Sequence, residues 1–78
     1  MTGQERRLLE LLAGSPDGAT DLSLLAQGFQ FKVMLGVIGA GFAAATSERA
    51  FAAGRSVEVS RVRITDAGRR VLAEKEHS

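Results

Sequence analysis

The stretch from Val57 to Thr65 constrains the fold most. Val57, Val59, Val62 and Ile64 are β-branched, and such side chains fit a pleated strand better than the crowded turn of a helix. A strand here, in a chain whose other apolar patterns are mostly helical, predicts an α+β domain weighted toward helix.

Three helical patterns precede the strand. Gln4 to Ala13 places Leu8, Leu9, Leu11 and Leu12 on one broad face, with Glu5, Arg6, Arg7 and Glu10 on the other. Thr2 stands where an N-cap belongs, and Glu5 three residues on completes a capping box. Gly14-Ser15-Pro16-Asp17-Gly18 reads as a turn. A short second helix is expected from Asp21, capped by Thr20, with Leu22, Leu24, Leu25 and Ala26 as its buried side. Gly28 ends it in a left-handed conformation, and Phe29 covers the core beneath the turn. A third helix is expected from Gln30 or Phe31 to Ala40, with Phe31, Met34, Leu35 and Ile38 at i, i+3, i+4, i+7 spacing and Gly41 as its stop.

Phe42 to Phe51 is expected to be a strand, joined to Val57–Thr65 by a turn over Ala52-Ala53-Gly54-Arg55. Thr65-Asp66-Ala67-Gly68 then opens a last helix, with Thr65 as N-cap, Asp66 favourable to the dipole, and Val71 and Leu72 docking it. Glu74 to Ser78 is expected to fray. Residues 1–78 fit one domain. With no cysteine and so short a chain, the core is modest and has no disulfide or thiolate metal site to reinforce it.

Three helices, a two- to three-stranded β wing and a C-terminal helix are the parts of a winged helix-turn-helix, with the bend at Gly28-Phe29. The segment Val62-Arg63-Ile64-Thr65-Asp66-Ala67-Gly68-Arg69-Arg70-Val71-Leu72 resembles the end of the wing and the start of the final helix in many bacterial winged-helix regulators, the MarR-type among them. The resemblance implies a transcription-regulator-like role, with the third helix in the major groove of double-stranded DNA and the hairpin over the backbone.

The residues support that role unevenly. The net charge is only +1, but Arg49 to Arg70 holds six arginines against Glu58 and Asp66. Arg49, Arg55, Arg61 and Arg63 lie on or beside the hairpin, where guanidinium forks suit phosphate oxygens; alternatively, they are charges guarding a sheet edge. On the third helix the polar residues are Gln30 and Lys32, both at the N-terminal end where base contacts usually arise. Gly36, Val37, Gly39 and Ala40 are expected to complete its exposed face, which departs from the family pattern and suits a protein partner instead. Strand parity adds to this. If Val62 and Ile64 face the helices with Glu58 and Ser60, then Val57, Val59, Arg61 and Arg63 face away. Either a bulge near Ser60 resets the register, or Val57 and Val59 meet a partner, most simply in a homodimer. Val37, Val57 and Val59 are therefore the candidate dimer or partner surface.

Gly39-Ala40-Gly41 belongs to a match to the dinucleotide fingerprint, which makes nucleotide binding a remote alternative. The acid expected about 20 residues on is missing, and Ser60 and Arg61 stand there. Catalysis is not expected, since His77 is the only histidine and sits next to the C-terminus. No cofactor or metal is expected, because the carboxylates are scattered and cysteine is absent. The longest apolar run, Val33 to Ala45, is about 13 residues, short of the ~20 that span a membrane. The N-terminus has no signal-peptide pattern. A cytoplasmic protein is the expectation.

Overall fold

Hydroxyl side chains start most of the helices. The computed structural model describes residues 2–76 and contains α1 (Gly3–Ala13), β1 (Ala19–Thr20), α2 (Asp21–Ala26), α3 (Phe31–Gly39), β2 (Ala43–Ala52), β3 (Arg55–Ile64) and α4 (Asp66–Glu76). Thr2 caps α1 in a complete capping box with Glu5. The Thr20 hydroxyl accepts from Ser23 N–H at the start of α2, and that of Thr65 accepts from Gly68 N–H at the start of α4. Each bond satisfies a backbone donor that the first turn of a helix leaves open. The helix beginning at Phe31 lacks this device, because its N-cap is Gln30 and no side-chain bond forms there. The last helix continues through Glu76, beyond the fraying expected from Glu74. His77 lies outside the described residues.

The strands form one antiparallel sheet in the order β1-β3-β2. β1, absent from the expected element order, is a two-residue strand pairing Ala19 with Val62 and Thr20 with Arg61. β2 and β3 form an uninterrupted ladder from Ala43↔Ile64 to Ala52↔Arg55. The turn between them is Ala53-Gly54, with φ of 54° and 75°, the left-handed pair that a two-residue hairpin turn demands. A ten-residue strand runs about 33 Å, so the hairpin accounts for most of the 48 Å long axis of the molecule.

The core lies between the helices and the base of this hairpin. Leu8, Leu9 and Leu12 of α1, Leu24 of α2, Met34 and Val37 of α3 and Val62 of β3 are fully buried, and Leu72 anchors α4. Two expectations about helix faces change. In α2 only Leu24 is buried, whereas Leu22 and Leu25 are exposed; a helix of under two turns reaches the core along one direction only. In α3 the inward residues are Val33, Met34 and Val37, while Phe31 and Leu35 are 55% and 53% exposed. This helix is apolar on every side, so its periodicity does not select a face. Packing against α1 turns one side of the helix inward, and Gly36 stands on that side. A Cβ there would lie 2.6 Å from Oε2 of Glu5, so the side of α3 without a side chain is the side that lies beside α1.

The corner between α3, β2 and α4 is tied by Thr65. Besides capping α4, its hydroxyl donates to the Gly41 carbonyl at 2.6 Å, and its N–H donates to the Phe42 carbonyl at 3.0 Å. Gly68 is buried directly against that same Phe42 carbonyl, where a Cβ would overlap it and Ile64. The Thr-Asp-Ala-Gly sequence is therefore a cap followed by a close approach.

Candidate nucleic-acid interface

The α2–α3 bend follows from local bonding. Gly28 N–H donates to the Leu25 carbonyl and Phe29 N–H to that of Leu24, at 3.0 and 3.1 Å. This is the paired pattern of a Schellman motif, with Gly28 in its left-handed position at φ 96°. Phe29 and Leu24 both belong to the core cluster, which supplies the apolar contact that accompanies such a cap. The bend sets α3 so that Gln30, Phe31, Lys32, Leu35, Gly39 and Ala40 are exposed.

Gln30 and Lys32, the expected base readers, are thus at the surface. They share a groove of about 400 Å³ with Thr2, Gln4, Glu5 and Val33. The Glu5 carboxyl in that groove is held below its usual range, chiefly by the hydrogen bond from Thr2 N–H, so it is anionic near neutral pH. A fixed carboxylate beside Lys32 offsets attraction for phosphate at this end of α3. The expected partner residue Val37 is not at the surface at all; it is 0% exposed and supplies packing toward the core.

The hairpin divides its arginines between two faces. Residues paired across the ladder share a face. Arg55, Val57, Val59, Arg61 and Arg63 therefore lie opposite the helices, and Arg49 lies on the helix side with Glu58 and Ser56. Arg61 is engaged within the fold. Its Nε donates to Oε2 of Glu48 at 2.7 Å and its Nη1 to the Asp17 carbonyl at 3.3 Å. That bond from Arg61 holds the Glu48 carboxyl below its usual range, and the same bond raises the Arg61 guanidinium. Arg63 donates to Oγ1 of Thr46 and Arg49 to Oγ of Ser56, at 3.3 and 3.2 Å. These two and Arg55 are exposed. Among the described residues the ion pairs are Arg6–Glu10 and Arg61–Glu48, so Arg49, Arg55 and Arg63 keep their charge unneutralised by direct contact.

Neither explanation for the outward valines is required. The ladder has no bulge. Val59 is already 5% exposed within one chain, on a face where Glu48 stands opposite it and Arg61 two residues along. Val57 is half-buried. A dimer contact through Val37 and Val59 loses its basis, because neither offers surface.

The glycine fingerprint has the wrong context. Gly39 is the last residue of α3, Gly41 takes φ 83°, and a strand follows. A pyrophosphate cradle needs a helix N-terminus after the glycines, and β2 stands in that place.

Periodicity missed the exposed apolar surface. Leu22, Leu25, Phe31, Leu35 and Phe51 are large and exposed. An apolar cleft of about 220 Å³ opens between α3 and the hairpin base, lined by Phe31, Met34, Leu35, Ile38, Ala45 and Val62, with Asp21 and Ser60 at its polar side. Among the described residues no group of His, Cys, Asp or Glu is placed to hold a metal ion, and no helix is long and apolar enough to cross a membrane. Comparison with protein-family models, curated proteins and solved structures finds no match.

Proposed function

We propose that this chain is a winged helix-turn-helix domain that binds double-stranded DNA through its hairpin, with phosphate contacts outweighing base readout. The observation that carries the reading is the hairpin, which bears Arg49, Arg55 and Arg63 exposed and, among the described residues, outside any ion pair. The Schellman bend between α2 and α3 supplies the helix-turn-helix element, and β2–β3 supplies the wing. Gln30 and Lys32 approach the groove, but Phe31 and Leu35 beside them cannot read base edges by hydrogen bonding. Binding of this kind is steeply salt-dependent and weakly sequence-selective.

Fluorescence anisotropy of a random-sequence duplex tests this. Micromolar or tighter binding at low salt is expected. Replacing Arg55 and Arg63 together by Ala should weaken every sequence alike and flatten the plot of log K against log salt by about 2, close to 0.9 per phosphate contact. A doubly substituted protein that binds as the parent does would remove the hairpin from the interface.

A second reading is favoured by the exposed Leu22, Leu25, Phe31 and Leu35, in which the same fold serves protein association. Leu35→Glu should then abolish a complex while leaving the melting temperature near that of the parent, since the side chain is half outside the core already. Unaltered complex formation would exclude this face.

A further inference from the structure

Among the described residues the β2 edge of the sheet is unpaired along its length, since the strand order places β2 outermost. Edge strands of natural proteins are usually short, bulged, charged or interrupted by proline; the charges of this one are Arg49 and Glu48, the latter tied to Arg61 of its own chain. This one runs ten residues, Ala43–Ala52, in unbroken register. At its far end Phe51 is 85% exposed. On the same face, nearer the base, Ala45 lines the apolar cleft with Phe31, Leu35 and Ile38.

From these features we infer that β2 pairs antiparallel with β2 of a second copy of the chain, making a closed two-fold dimer in which each Phe51 covers the cleft of the other. The proposal is independent of DNA binding. Backbone direction comes first. Thr65 N–H bonds the Phe42 carbonyl, so alternation along the ladder turns the backbone groups of Ala44, Thr46, Glu48 and Ala50 toward β3. Those of Ala45, Ser47, Arg49 and Phe51 point to the free edge, ready for a partner strand.

Register comes next. A two-fold axis perpendicular to the sheet keeps each residue on its own face, so only residues of like parity can stand opposite one another. An axis at Arg49 would oppose Arg49 to itself and place Phe51 against Ser47. An axis at Ser47 would place Phe51 against Ala43, which is buried beneath the chain's own helices. An axis at Glu48 opposes Ser47 to Arg49 and Phe51 to Ala45, at the mouth of the cleft. The two Glu48 carboxylates then meet across the axis, each already held by its own Arg61 at 2.7 Å. The net charge of +1 leaves little repulsion between copies. Two phenyl rings at ~150–250 Å² each together with the strand pairing bury roughly 1,000 Å², the lower bound for a specific interface. Pairing uses both β2 edges, so the assembly closes at two.

Sedimentation velocity of the whole chain from about 1 to 500 µM, which covers binding free energies of roughly 4.5 to 8 kcal/mol, should show a monomer–dimer equilibrium and nothing larger. A monomer throughout, or open-ended growth, overturns the proposal. Ser47→Pro removes one N–H that faces the free edge and none that faces β3. It should keep the parent's circular dichroism and melting temperature and lose the dimer; a Ser47→Pro protein that dimerises like the parent also overturns it. Because the chain has no cysteine, Glu48→Cys should form an interchain disulfide on mild oxidation, whereas Arg49→Cys should not. Cross-linking through position 49 and not 48 overturns the register. Phe51→Ser should weaken association at least tenfold, and unchanged association would remove the ring from the cleft.

Discussion

Single residues join separate parts of this chain in ways that differ in how far the sequence reveals them. Thr65 and Gly68 are legible as the cap and first turn of a helix, but their tie to the Gly41 and Phe42 carbonyls depends on a corner that only the folded chain brings together. The Glu48–Arg61 pair is less legible still, because its partners are thirteen residues apart and meet only in one hairpin register. It has a pH signature. The Glu48 pKa is lowered in the folded chain, principally by the Arg61 bond. Its stabilising effect is complete above the ordinary carboxylate value of the unfolded chain and is lost as pH falls through the lower folded value. Between those two values the unfolded chain binds the extra proton. Glu48→Gln should therefore melt lower than the parent at neutral pH, with the gap closing in acid. A constant gap across that range in thermal melts would show that the ion pair does not couple to folding. Glu5, lowered by the capping box, acts in the same direction and remains as background in both proteins.

At the level of elements, local chemistry sets the boundaries and tertiary packing sets the faces. Hydroxyl caps and left-handed glycines place the helix ends they mark within about a residue of the observed ones, because these signals act over one turn; the end of α4, which neither marks, lies at Glu76, past the expected start of fraying at Glu74. The orientation of α3 does not follow from its pattern. Phe31/Leu35/Ile38 and Val33/Val37 are both apolar stripes, and packing against the other elements buries the second. The same limit hid β1, whose two residues are a strand only because Val62 and Arg61 lie opposite. The hairpin turn offers a direct test. Ala53 carries φ 54°, a conformation that costs a residue with a Cβ about 1–2 kcal/mol and that Asn tolerates better. Ala53→Asn should stabilise the domain by a fraction of that, up to about 1 kcal/mol, read as an upward shift in the denaturant midpoint with unchanged slope. No shift would mean that the hairpin forms and melts apart from the helices.

At the scale of the molecule, a small core supports a long projection. Total stability for a domain of this length is expected to be about 4–12 kcal/mol. Truncating a fully buried leucine costs about 2–5 kcal/mol. Leu8→Ala, at a 0% exposed position in α1, should lower Tm by about 8 °C or more; a shift under a few degrees by calorimetry would mean that the core readily collapses around the gap. The far half of the hairpin, from Ser47 to Ser60, contributes no residue to the core cluster among the described residues. Its length is not needed to bury the helices, which is why the DNA-binding reading and the pairing of β2 with a second copy converge on it.

By itself the sequence determined the kind and order of nearly all elements, the helix caps, the left-handed turn at Gly28 and the alternation of β3. Each depends on residues within a few positions of one another, and such short-range forces are written in the local chain. Tertiary structure alone decided that Val37 and Val59 are inside, that Phe31 and Leu35 are outside, that Arg61 belongs to Glu48, and that β2 is an edge. Those outcomes depend on which surfaces meet across long sequence separations, where several apolar faces compete and the packing of the helices against the base of an unbulged hairpin selects among them.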